Sequence, residues 1–113
     1  MVISLQDTLS NLPLPATPKW PHGVWDIEVL KHGTMSLIAY KPTVQDFQTT
    51  HEQDELYIVM AGVADLLIEG IPHACKTGDA LFVPALKNHR FENFSDDFVV
   101  WAIFWGPNGG ERN

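Results

Sequence analysis

The sequence predicts an all-β protein, an antiparallel sandwich or barrel, and two observations support this. Short runs rich in Val, Ile, Phe, Tyr and Trp follow one another closely from Gly23 onward. Turn signals such as His32-Gly33 and Glu69-Gly70 separate these runs, and no helical pattern lies between them, which excludes a parallel α/β sheet. The chain has 113 residues, of which 45% are hydrophobic, and this is enough for one core in one domain.

The residues before Gly23 have a different pattern. Leucines at helical spacing after Ser4 predict a short helix over residues 4–12. Four prolines between positions 13 and 21 exclude a helix there and predict an extended arm. We therefore expect residues 1–22 to form a helix and a Pro-rich arm that packs on the barrel or on a partner. Residues 23–113 are expected to form the barrel.

Nine strands are expected in the barrel region. They are Val24–Leu30, Thr34–Tyr40, Asp46–His51, Leu56–Met60, Ala64–Ile68, Ile71–Cys75, Ala80–Val83, His89–Phe94 and Phe98–Trp105. The last of them is apolar on both faces, whereas a strand with one wet face alternates apolar and polar residues. We expect the barrel core to cover one face and the N-terminal arm or a second subunit to cover the other. We therefore predict a homodimer.

Charge and cysteine content limit the partners and the compartment. Lys and Arg number 7 while Asp and Glu number 14, and the net charge of -7 argues against nucleic-acid and anionic membrane partners. Cys75 is the only cysteine, which excludes an intrachain disulfide and a cysteine-based metal cluster. The single thiol, together with an N-terminus that lacks the pattern of a secretion signal, predicts a cytoplasmic protein.

A polar cluster lies near the middle of the chain. If this segment is a strand, residues two apart share a face, so Thr49, His51, Gln53, Glu55 and Tyr57 point the same way. Burying such groups without partners is costly, and a divalent metal resolves this by binding neutral imidazole nitrogen and carboxylate oxygen. The alternative interpretation is a solvent-exposed acidic edge that contains His51 by chance.

A second motif favours the metal interpretation. Residues 78–93 contain the pattern G-x5-P…H-x3-N. With this pattern the sequence resembles the cupin superfamily, whose second motif is G-x5-P-x-G-x2-H-x3-N. The matching residues are Gly78, Pro84, His89 and Asn93. Leu86 stands where the family usually has Gly.

The first cupin motif, H-x-H-x3,4-E-x6-G, is also present in part. His51, Glu55 and Gly62 match its second His, its Glu and its Gly. Thr49 stands in place of the first His. Each motif alone is degenerate, but both occur here in order and at a separation ordinary for a small cupin.

The resemblance implies a double-stranded β-helix, a jelly-roll-type barrel with a metal ion in its core. Of the family's ligand set, three His and one Glu, the chain keeps His51, Glu55 and His89. Thr49 leaves one position open, which Gln53 could fill directly or through a bound water. Two His and one carboxylate also make up the site of non-haem Fe(II) oxygenases. The expected cofactor is therefore a divalent transition metal: Fe, Mn, Zn or Ni.

Three functions are compatible with this resemblance. The first is a metal-dependent enzyme acting on a small organic molecule, a dioxygenase, isomerase or related enzyme, in which Gln53 and Tyr57 are the candidate catalytic residues that position substrate. The second is a non-catalytic domain that binds or senses a small ligand, with or without metal. The third is a barrel that serves only as a scaffold for assembly, which the inward-pointing polar residues disfavour.

Overall fold

A computed structural model describes residues 1–46 and 50–112 and confirms the all-β prediction. Among these residues there is one short helix and there are eight strands. Their bounds are α1 Leu5–Leu9, β1 Asp26–His32, β2 Met35–Tyr40, β3 Asp54–Ala61, β4 Val63–Ile68, β5 Ile71–Lys76, β6 Ala80–Val83, β7 His89–Glu92 and β8 Val99–Trp105. None of the helices in the described ranges is long and apolar enough to cross a membrane.

The strands form two antiparallel sheets. One has five strands in the order β1-β2-β8-β3-β6, and the other has three in the order β5-β4-β7. Eight of the nine predicted strands correspond to these elements. The predicted strand Asp46–His51 is wrong for the residues described there, since Asp46, Thr50 and His51 lie outside any strand. The Asp46 carboxylate instead accepts hydrogen bonds from the Tyr40 hydroxyl and the Phe91 amide.

The core lies between the two sheets. Tyr57 of β3, Phe91 of β7 and Phe98 just before β8 are each at most 1% exposed. Their rings meet edge to face, with centroids 4.8 Å apart for Tyr57 and Phe91 and 4.9 Å apart for Phe91 and Phe98. Burying an aromatic side chain of this size stabilises the fold by roughly 1.5–3 kcal/mol, so this cluster joins the sheets firmly.

The N-terminal residues pack against this barrel. Ser4 caps α1, its hydroxyl accepting from the Asp7 amide at 3.2 Å, and the helix contacts β2. Further along, Leu14 and Val24 form an antiparallel bridge. The boundary between an arm at 1–22 and a barrel at 23–113 stays a prediction.

Leu86 lies in the loop between β6 and β7, at the position where the second cupin motif has Gly. Its backbone conformation is one that favours glycine. Its φ is +69°, in the left-handed region that costs a residue with a Cβ about 1–2 kcal/mol. The side chain is 58% exposed, so little packing compensates for this strain.

We therefore expect Leu86→Gly to be more stable than Leu86→Ala by about 1 kcal/mol, because both variants lose the same packing but only glycine loses the strain. Urea unfolding of both variants measures the difference. Equal midpoints for the two variants would show that the loop relaxes to another conformation.

Candidate metal centre

Three predicted site residues converge at one point of the barrel. His51 lies just before the bend that leads into β3, Glu55 is on β3, and His89 begins β7. Each offers one ligand atom, and these atoms all lie within 4.8 Å of one another. The five-stranded sheet thus contributes the carboxylate, and the opposite sheet contributes one imidazole.

The polar atoms of this cluster are buried without hydrogen-bond partners among the described residues. Glu55 is 1% exposed and His89 is 3% exposed. While His89 is neutral, Nε2 of His51, both carboxylate oxygens of Glu55 and Nε2 of His89 have no hydrogen-bond partner there. His89 Nε2 lies 3.1 Å from Glu55 Oε1, close enough for an ion pair if the imidazole is protonated. Each unsatisfied buried group costs about 1–3 kcal/mol, so the cluster fits a bound cation.

The backbone fixes the proton on His89. Its Nδ1 lies 2.9 Å from the carbonyl oxygen of Lys87. Because a carbonyl only accepts, Nδ1 donates, and in the neutral imidazole Nε2 has the lone pair that faces Glu55. A hydrogen bond of this kind holds the ring orientation of metal-binding histidines in proteins.

The two imidazoles have pKa values shifted in opposite directions. Burial lowers the pKa of His51, and the Glu55 carboxylate only partly opposes this. Burial also disfavours the charged form of His89, but the Glu55 carboxylate and the Lys87 carbonyl outweigh it and raise the pKa of His89. His51 is therefore available as a neutral ligand at lower pH than His89.

Two loops hold the segment that contains His51. The Leu86 amide donates to the His51 carbonyl at 2.7 Å, and the Gly109 amide donates to the Glu52 carbonyl at 2.6 Å. The His51 ring packs edge-on against Phe104, with centroids 4.7 Å apart. These contacts orient His51 although it lies outside the β-ladder.

Hydrogen bonds to two other segments hold the Gln53 side chain. Because β3 begins only at Asp54, strand alternation does not decide where Gln53 points. Its Nε2 donates to the carbonyl oxygens of Thr34 and Gly106, each at 3.0 Å, and so joins the β1–β2 turn to the end of β8. A role for Gln53 as a ligand or in positioning substrate stays a prediction, and Thr49 lies outside the described residues.

Tyr57 lies beside the cluster, in the core. It is 0% exposed, and its ring centroid is 6.1 Å from that of His89. Packing against Phe91 accounts for the burial of Tyr57. A catalytic role for Tyr57 stays a prediction. Sequence reasoning did not identify Asp46, a buried carboxylate whose hydrogen-bond donors lie on β2 and β7.

His51 and His89 each line a cavity. A cavity of about 320 Å³ lies beside His51, and its lining residues are Thr50, His51, Glu52, Gln53, Phe104 and Asn108. A smaller one of about 70 Å³ lies beside His89, and its lining residues are Leu67, Gly70, Asn88, His89 and Arg90. A larger concavity of about 410 Å³ is lined mainly by β4 and β5 and by none of the three converging residues, so its size does not mark it as the site.

A double sheet of this topology with a His–Glu–His cluster at its core defines a cupin barrel. The family model for the cupin domain matches residues 36–105, and the chain belongs to this family. An uncharacterized protein of Streptomyces coelicolor is 31% identical over 83 residues, which cover 72% of this chain and 79% of that protein. For this protein and two further curated relatives, the chain spans 55% to 79% of their length.

Solved structures agree on the fold. A cupin 2 conserved barrel domain protein from Salinispora arenicola superposes with a TM-score of 0.64 at 24% identity, covering 94% of this chain and 89% of that chain. The DMSP lyase DddQ from Ruegeria pomeroyi superposes with a TM-score of 0.59 at 23% identity, covering 66% of this chain and 40% of that chain. At these identities the likeness shows the cupin barrel and not a shared activity.

Proposed function

We propose that this cupin binds one divalent transition metal ion through Nε2 of His51, the Glu55 carboxylate and Nε2 of His89. The observation that supports this best is the set of buried polar atoms that face one another and have no hydrogen-bond partner among the described residues. Two imidazoles and one carboxylate suit Zn, Fe, Mn and Ni alike, so the ligand set does not choose among these ions.

We propose further that the metal-loaded protein is an enzyme for a small organic molecule, a dioxygenase, isomerase or related enzyme. When bound, the ion would supply Lewis-acid or redox chemistry. Three protein ligands leave coordination positions free for substrate, which a purely structural site does not need. The cavity beside His51 has the size of a small-molecule site, and Gln53 lines it. The likeness to a lyase supports a catalytic role only through the shared fold.

The second candidate is a non-catalytic module that binds or senses a small ligand with or without a metal. The short distance of 3.1 Å between His89 and Glu55 favours the metal-free form, because a protonated His89 would form an ion pair with Glu55 and satisfy part of the cluster. The raised pKa of His89 points the same way.

Dependence on pH distinguishes the two candidates. In the metal site protons compete with the ion for His89, so metal affinity should fall by about tenfold per pH unit below the pKa of His89, which lies above the usual histidine value. His51, whose pKa is lowered, should compete only at lower pH. Calorimetric titration of chelator-treated protein with Zn²⁺ at several pH values measures this.

The ion pair predicts how the stability of the metal-free protein depends on pH. Because its folded pKa is raised, protonated His89 stabilises the fold fully below its unfolded pKa, and this stabilisation is lost as the pH rises through the folded pKa. Two results together would reject the metal site and favour the binding module. The stability of the protein would fall as the pH rises, and the protein would take up no Zn²⁺ at any pH.

Our proposal for assembly is a homodimer through the outer face of the five-stranded sheet. We define the outer face by the side chains that point away from the core on three strands: Leu56, Ile58, Phe82, Trp101, Ile103 and Trp105. The register pairs Leu56 with Ile103 and with Phe82, which places them on one surface. All six are apolar and none is fully buried. On a chain of net charge -7, this face is where a second copy meets least repulsion.

Light scattering at micromolar concentration should give about twice the chain mass of 12.7 kDa. Phe82 is 51% exposed on the outer face. Phe82→Glu should give a monomer, because a dimer would bury the new carboxylate in its interface. Ile71→Glu is the matched control, since Ile71 is 62% exposed on β5, away from the outer face. A monomeric unmodified chain would reject the dimer.

The partner that we propose for the site is a small molecule rather than a nucleic acid or a membrane, in keeping with the acidic composition. We also propose a cytoplasmic location. Cys75 is a free thiol and is buried, as expected for a reducing compartment.

A further inference from the structure

Asp46 is a buried carboxylate outside the His–Glu–His cluster. It is 5% exposed. Its Oδ1 accepts from the Tyr40 hydroxyl at 2.7 Å, and its Oδ2 accepts from the Phe91 amide at 2.7 Å. Tyr40 ends β2 in the five-stranded sheet and Phe91 is on β7 in the three-stranded sheet, so one side chain joins the two sheets.

The bond to Phe91 serves the strand that contains His89. Among the described residues β7 pairs only with β4 and is an edge of its sheet. Asp46 gives the Phe91 amide the acceptor that a neighbouring strand would otherwise supply. Phe91 and His89 are two apart on β7 and both point inward, each at most 3% exposed. A shift of β7 would therefore move the His89 ring.

The same carboxylate is anchored to the five-stranded sheet through Tyr40. Tyr40 is a dependable donor to Asp46, because burial and the Asp46 charge raise the pKa of its phenol and keep it protonated. Charge-assisted hydrogen bonds of this length are among the strong ones.

We propose that Asp46 is a positioning residue of the metal centre, which sets His89 on β7 relative to the five-stranded sheet that contains Glu55. The inference rests on the proposed metal function. It extends the site beyond its ligands to a link between the two sheets.

The test measures Co²⁺ affinity and the visible absorption of the Co²⁺ complex in the full-length chain. Asp46→Ala should weaken binding by about 10–100-fold and shift the absorption bands, because an outer support of the ligands is lost. Asp46→Asn keeps an oxygen that accepts from the Phe91 amide and should remain within about threefold of the unmodified chain. Asp46→Glu lengthens the link by one methylene and should shift the spectrum and lower the affinity by about fivefold. This variant keeps the test usable if Asp46→Ala does not fold.

Val59→Ala is the control for a general loss of stability. Val59 is 1% exposed in the core, and it lies further along β3 than Glu55. This variant should unfold at lower urea concentration but keep the affinity and spectrum of the unmodified chain. The inference is overturned if Asp46→Ala and Asp46→Glu bind Co²⁺ as the unmodified chain does, or if Val59→Ala loses as much affinity. If the unmodified chain binds no Co²⁺, the proposed metal function fails first and the positioning role with it.

Discussion

Replacing His89 with Ala is expected to abolish tight metal binding. The change removes Nε2, one of the three converging ligand atoms, and leaves one imidazole and one carboxylate. We expect the dissociation constant for Zn²⁺ to rise by more than about 100-fold. An ion at 100 times its dissociation constant stabilises the folded state by about 2.7 kcal/mol, and the variant should lose this gain in thermal unfolding with Zn²⁺.

His73→Ala is the matched control for this experiment. His73 is an exposed imidazole on β5, outside the cluster. Its replacement should leave both the affinity and the Zn²⁺-dependent rise in melting temperature unchanged. If the two variants behave alike, the bound ion lies somewhere other than at His51, Glu55 and His89.

Replacing Gly62 with Ala is expected to cause a large loss of stability. Gly62 turns the chain between β3 and β4 with a φ of +81°. A Cβ there would lie 2.7 Å from the Phe98 Cα and would also meet the Ser95 hydroxyl. Because the Phe98 backbone leads into β8 and cannot yield cheaply, the clash adds to the backbone strain, and we expect a loss of about 3 kcal/mol.

Gly70→Ala isolates the strain from the clash. Gly70 has a φ of +78°, close to that of Gly62, but a Cβ there meets nothing within 4 Å. Its replacement should cost only about 1 kcal/mol. Urea unfolding of both variants measures the difference, and equal costs would show that the contact with Phe98 does not fix this turn.

Most of the fold follows from local patterns in the sequence. The strand β8 shows the prediction at its clearest, because its inward residues Val100, Ala102 and Phe104 are all buried while Trp101 and Ile103 on the other face are only partly so. The motif residue Gly62 was identified by resemblance, and the structure gives its physical reason in the close approach of Phe98.

Alternation along a strand fails where the strand itself ends. His51 and Gln53 precede β3, so the geometry of loops and long-range hydrogen bonds decides where they point. His51 still reaches the cluster, whereas the amide nitrogen of Gln53 is bound by Thr34 and Gly106. Asp46 was not predictable for the same reason, since its contact with Phe91 spans much of the chain.

The metal centre is tested by elemental analysis of the purified chain after metal loading and removal of excess ion. We expect about one transition metal ion per chain, and almost none in Glu55→Gln, which replaces the buried carboxylate at the centre of the cluster. Absence of a stoichiometric ion from the unmodified chain, or equal metal content in Glu55→Gln, would contradict the metal centre.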